Sequence, residues 1–151
     1  LPFQPVKGEI IDIHAPDLQI DFILNGTLYL IPLGENNYKV GATYNWKDIN
    51  EIPSEEGIEY LKSELEKMIN VDFDIIGHKA GIRPAIQDRR PVIGIHPLYK
   101  SLGIFNGLGT KGAMLSPYYA KMMANNIVEN TPIDFEVSVD RFSKLFNKEN
   151  Q

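Results

Sequence analysis

The spacing of apolar residues changes character at Pro53, and few folds satisfy both halves of that change. Before it the chain is written for strands. Residues 6–13 read as one strand, and the stretch 20–33 breaks at Asn25-Gly26, the dipeptide that best tolerates the positive φ of a two-residue hairpin turn. Residues 21–24 and 27–33 are therefore expected as antiparallel neighbours. Gly34, Asn36 and Asn37 supply turn chemistry before a third segment, 38–44, rich in β-branched and aromatic side chains. A meander is the simplest arrangement of these pieces.

From Pro53 the period becomes helical. Ser54 can accept from an early helical amide, Glu55 and Glu56 suit the positive end of the dipole, and Ile58, Leu61, Leu65, Met68 and Ile69 recur at helical spacing. This predicts an amphipathic helix lying on the sheet. Residues 73–80, 91–95 and 102–105 are short apolar runs, with the polar turn Gln87-Asp88-Arg89-Arg90 between the first two, and they are expected to complete the sheet. A last helix is expected from Gly112 to about Glu129, with Leu115, Tyr119, Met122, Met123 and Ile127 on one side. Pro117 fits only near its start, where a missing N–H costs little. The tail from Lys144 on is polar and expected to fray. The fold class is thus α+β: a mixed, largely antiparallel sheet, one covering helix and a C-terminal helix opened by a glycine-rich loop.

Composition narrows the function classes. The chain has 151 residues, 43% apolar and 23% charged, which is globular and enough for one domain-sized core. Twenty acidic against fifteen basic residues give a net charge of −5, which argues against nucleic acid or anionic lipid as partner. The absence of cysteine excludes disulfides, thiolate metal sites and cysteine nucleophiles. No apolar run approaches the roughly 18 residues of a membrane span, and no basic-then-apolar leader opens the chain. The expectation is a soluble, cytoplasmic protein with no membrane partner. Because the first residue is Leu1, the chain is further expected to be a piece of a longer polypeptide.

The stretch Gly107-Leu108-Gly109-Thr110-Lys111-Gly112 follows an expected strand and opens an expected helix. Its spacing fits a dinucleotide fingerprint, in which small residues let backbone approach a ligand and helix-terminal amides face negative charge. A fingerprint also needs a complete βαβ unit, and only a poorly apolar segment, 133–139, follows the helix. A glycine-rich turn without ligand is an equal reading of the local sequence. Arg83, beside Pro84, could offer its planar fork to a carboxylate, or could be a surface arginine paired with Asp88. Tyr29, Tyr44 and Trp46 could line a pocket, although aromatics in alternating strands usually pack a sheet face. His14, His78 and His96 are far apart, without the spacing of metal ligands, so no metal site is expected. The alternating charges of residues 62–67 suit a solvated helix face. No Gly-x-Ser-x-Gly elbow or lysine-bearing phosphate loop is present.

The order of these words carries more information than any one of them. Pro5-Val6-Lys7-Gly8-Glu9, Tyr29-Leu30-Ile31-Pro32, Val40-Gly41-Ala42-Thr43, Ala80-Gly81-Ile82-Arg83-Pro84 with Asp88, Pro91-Val92-Ile93-Gly94 and Asn106 through Gly112 follow one another, with Pro117 in the next helix. Their succession, from Pro5 to about Arg141, resembles the carboxyl-terminal half of the FAD-dependent amino-acid oxidase superfamily, the glycine and D-amino-acid oxidase group. The resemblance implies one fragment: a substrate-binding sheet domain over about residues 1–100, then an FAD-contacting strand, loop and helix over about 101–130. The amino-terminal half that holds the ADP end of FAD would be missing, and the fragment alone would bind no flavin stably, turn nothing over and tend to self-associate.

By the same resemblance Gly107, Leu108, Gly109, Thr110, Lys111, Gly112, Ala113 and Met114 form the cofactor-binding cradle at the flavin ring. Arg83 corresponds to the arginine that pairs with the substrate carboxylate, and Tyr29 and Tyr44 to pocket-lining positions. Thr110 stands where glycine-oxidising relatives carry an arginine, so their substrate does not transfer. The reaction implied is hydride transfer from an amino acid or related amine-bearing acid to flavin, with no catalytic acid or base required from this segment. The alternatives are a 2-hydroxy-acid dehydrogenase on the same scaffold and, from another class, a small β-rich binding module.

Overall fold

The computed structural model describes residues 1–146. These form two compact units: Val6–Ile82, and Leu1–Pro5 together with the chain from Arg83 onward.

The first unit is built on a five-stranded sheet in the order β2-β3-β4-β1-β5, with β1 Val6–His14, β2 Leu24–Asn25, β3 Tyr29–Gly34, β4 Asn37–Gly41 and β5 Asp74–Arg83. The pairs β1/β4, β2/β3 and β3/β4 are antiparallel. Alternation decides which side chains go in: Leu30, Val40 and Ile11 form one row across three strands, and Tyr38 lies beside Ile13 in another. All of these are buried, and α1, Glu55–Glu66, closes them over with Leu61 and Leu65. Ser54 caps α1, its side chain accepting from the Gly57 amide at 3.0 Å. The β3–β4 hairpin turns on Glu35 and Asn36, whose φ values of 53° and 59° are those of a type I′ turn.

Three expectations need correction. The strands do not run as a meander from β1, because β1 lies between β4 and β5. It carries Ile11 and Ile13, both fully buried, and a strand with that inner face is best shielded with neighbours on both sides. The turn expected at Asn25-Gly26 lies one step later, since Asn25 pairs with Tyr29 and the Gly26 amide bonds the Leu28 carbonyl at 2.9 Å. Leu28 is drawn into the core from this loop, which shortens β2 to two residues. Finally, of the runs expected to complete the sheet only β5 does so. β6 (Val92–Ile95) and β7 (Gly103–Asn106) pair with each other in a separate two-stranded antiparallel sheet of the second unit. Val92 and Ile93 are consecutive and both fully buried, so β6 is covered on both faces within its own unit: Val92 packs with Ile86 and Val139, and the Ile93 amide bonds the Val137 carbonyl.

α2, Gly112–Glu129, occupies the expected residues and ends at Asn130 in the left-handed conformation, φ 56°. Pro117 lies past the first turn, so it withholds an amide from the helical ladder. None of the helix's residues is buried, and Met114, Tyr118, Ile127 and Val128 are well exposed. Among the described residues no helix is long and apolar enough to cross a membrane.

Candidate functional site

The glycine-rich loop is anchored at one end and open at the other. Gly107 is buried with φ +74°, and a Cβ there would come within 2.6 Å of Ile86 Cγ1 and 3.3 Å of the Arg90 carbonyl and Val92 amide. Only glycine gives both the conformation and the clearance. From there the chain rises out of its core: Leu108 and Gly109 are half-buried, Thr110 and Lys111 exposed, and nothing lies within 4 Å of a Cβ placed on Gly109. Residues Gly109–Lys111 make a single 3-10 turn leading into α2, and no side chain caps either start. The start of an 18-residue helix therefore follows open space at Gly109, with no side chain capping it and with Thr110 and Lys111 exposed beside it. A helix start left open in this way suits a ligand that carries negative charge. Ala113 and Met114, next along, are exposed.

Arg83 is half-buried at the end of β5, held between Ile82 and Pro84, its carbonyl accepting from the Ala85 amide at 2.9 Å. Asp88 receives the fork of Arg141, Nε to Oδ2 at 3.1 Å and a second nitrogen to Oδ1 at 3.4 Å, with Arg141 itself mostly buried.

Tyr29 and Tyr44 belong to the Val6–Ile82 unit, Arg83 and residues 107–114 to the other. Tyr29 pairs with Gly41, and Gly41 with Ile10, on the sheet face away from α1; its ring is about half exposed. On the same face Asp12 is flanked by Lys39 at 2.9 Å and Lys79 at 3.2 Å. The Lys39 hydrogen bond, with help from Lys79, outweighs the effect of burial and holds the Asp12 carboxyl below its usual range. Tyr44 follows β4 and packs against Trp46, ring centroids 5.7 Å apart. Both rings line a cavity of about 820 Å³, shared with Thr27, Thr43, Glu56 and Tyr60.

A group of buried charges beneath that cavity escaped the sequence reading. Lys7 and Glu9 have side chains only 1% and 2% exposed. Glu9 Oε2 accepts from the Ser54 amide at 2.8 Å and Oε1 from the Ser54 hydroxyl at 2.7 Å, at the start of α1. His78 Nε2 lies 2.8 Å from Glu9 Oε2, within ion-pair distance though out of line for a hydrogen bond. The signal was present in the phase of β1: if Ile11 and Ile13 point inward, so do Lys7 and Glu9.

Burial by itself pushes the Glu9 carboxyl up, but the Ser54 amide and hydroxyl, with the charges of Lys7 and His78, outweigh it and hold the group below its ordinary value of 4.5. Folding thus favours the ionised form, and the stability it contributes is complete above 4.5 and lost as pH falls through the lower folded value. The urea midpoint of the wild-type chain is expected to drop through that window more steeply than that of Glu9→Gln. Parallel curves would mean that Glu9 is not ionised in the fold.

Known proteins resemble this chain over most of its length. The glycine oxidase of Bacillus licheniformis is 33% identical over 133 residues, covering 85% of this chain and 36% of its own. The tRNA-modifying bifunctional protein MnmC of Marinobacter nauticus is 26% identical over 142 residues, 85% of this chain and 22% of its own. The crystal structure of Geobacillus kaustophilus glycine oxidase superposes with a TM-score of 0.74 at 26% identity, over 89% of this chain and 38% of that one. The chain thus spans well under half the length of the relatives it matches. The profile of FAD-dependent oxidoreductases, DAO, matches residues 1–126, and the chain belongs to that family.

Proposed function

We propose that this chain is the substrate-binding and flavin-capping portion of an FAD-dependent oxidoreductase that oxidises an amino acid or a related amine-bearing acid. The reading is carried by the exposed, uncapped start of α2 behind an open glycine-rich tip, in a chain of this family. When bound, the flavin supplies the hydride acceptor. The amides and dipole of residues 107–114 stabilise negative charge at its ring. Arg83 orients the substrate through its carboxylate, and Tyr29 and Tyr44 form pocket wall. Thr110 presents a neutral hydroxyl at the loop tip, so the carboxylate clamp rests on Arg83. No side chain of this segment is needed as acid or base, because the chemistry asks for alignment and a deprotonated amine.

The test is the polypeptide carrying an FAD-binding half upstream of Leu1. It is expected to purify with flavin, and the flavin's visible band to bleach when an amino acid is added without oxygen. Failure to bind FAD at saturation would end the flavoprotein reading, and bleaching by 2-hydroxy acids alone would move the substrate class. The 151-residue chain by itself is expected to take up no FAD stably, so tight stoichiometric uptake would contradict the division of labour.

A further inference from the structure

The segment that carries Tyr44 and Trp46 has no regular secondary structure between β4 and α1, yet almost every second residue of it is tied to β1. Thr43 exchanges with Glu9: its amide bonds the Glu9 carbonyl at 3.1 Å, and its hydroxyl accepts from the Glu9 amide at 2.8 Å. Asn45 exchanges both backbone bonds with Lys7, at 2.9 and 3.0 Å. The Lys7 ammonium then reaches the Ile52 carbonyl at 2.6 Å, Asn50 Oδ1 at 3.0 Å and Asp48 Oδ2 at 3.4 Å. An ammonium has three donors, and the segment offers three acceptors. Glu9 completes the series at Ser54 and stands 3.5 Å from the ammonium. Within the segment Asn50 passes the restraint on, donating to Asp48 Oδ1 at 2.6 Å and accepting from the Ile52 amide at 2.9 Å.

A buried lysine is unfavourable unless its charge is fully met. Here the acceptors that meet it come from the aromatic-bearing segment, and so the charge specifies that segment's conformation. The geometry points to Lys7, supported by Glu9, as a positioning residue of the substrate pocket: it fixes the Tyr44–Trp46 wall without touching substrate. This rests on the proposal that Tyr44 lines that pocket.

Trp46 is the only tryptophan of the chain, so its fluorescence reads the segment directly. In the 151-residue chain, Lys7→Met is expected to raise acrylamide quenching of Trp46 about twofold and lower its anisotropy, because a ring now 52% exposed becomes free. Lys7→Arg, which keeps the charge, should recover much of the wild-type signal. Should Lys7→Met fail to fold, Asn50→Ala loosens the same clamp from the solvent side and should shift quenching in the same direction. In the intact flavoprotein both variants should raise KM by about tenfold with kcat within about twofold, and Lys7→Arg should restore it. Unchanged Trp46 quenching in Asn50→Ala and in folded Lys7→Met would overturn the clamp and leave the proposed function standing. A mobile Trp46 with unchanged KM, in an enzyme where Tyr44→Ala does raise KM, would overturn the positioning role alone. If Tyr44→Ala also leaves KM untouched, or no amine-bearing acid is turned over, the pocket assignment falls and this role falls with it.

Discussion

Arg83→Ala in the intact flavoprotein is expected to raise KM for carboxylate substrates by roughly ten- to a hundredfold, since a charge-assisted two-pronged contact contributes about 1.5–3 kcal/mol. The effect should appear chiefly in binding, with kcat falling less, because the carboxylate is as negative in the ground state as in the transition state. Lysine should restore only part of the loss: a point charge on a flexible stem cannot present two parallel donors. The Ile82 and Pro84 neighbours and the Arg83 carbonyl bond to Ala85 do not involve the guanidinium, so backbone geometry should survive the replacement. Methyl esters or amides of the same substrate supply the control. They should discriminate little between wild type and variant, and equal KM values for the free acid would reduce Arg83 to a sheet-end side chain.

Leu61→Ala is expected to lower the stability of the Val6–Ile82 unit by about 2–5 kcal/mol, a large share of what a domain of this size possesses. Leu61 is fully buried among Ile11, Ile13, Leu30, Val40 and Leu65, so its removal opens a cavity where helix meets sheet. The urea midpoint followed by Trp46 fluorescence measures this unit specifically, because the tryptophan lies in it. A loss below about 1 kcal/mol would mean that α1 does not close the core as described. An alanine at the exposed Lys62 next door provides the contrast and should move the midpoint far less.

What could be read from sequence was local. α1 was legible because Ser54, Glu55 and the recurrence of Leu61 and Leu65 state the same thing three times, and α2 because a glycine-rich opening and an apolar period coincide. The β1 boundaries followed from its apolar run. The place of β1 between β4 and β5 was not legible, since no short-range pattern encodes which distant strands pair. For the same reason β6 and β7 looked like further strands of one sheet: an apolar run of four residues is identical in either setting. At the site, the glycine loop announced itself by spacing. Lys7 and Glu9 did not, because charged residues near a strand's start are usually solvated, and their burial depends on hydrogen-bond partners more than forty positions away, an acceptor for Lys7 and donors for Glu9.

A methyl group at Gly57 would run into the Glu9 carboxylate, and this couples the evolutionary fate of two positions on different elements. Residue 57 can enlarge only if the Glu9 carboxylate moves from its place at Ser54, although alanine would otherwise improve the helix. Paired replacement, with a shorter acid at 9, is the open route, and it draws the carboxylate back from Ser54. Anyone grafting this sheet and helix onto another scaffold must therefore carry the glycine and the glutamate across together.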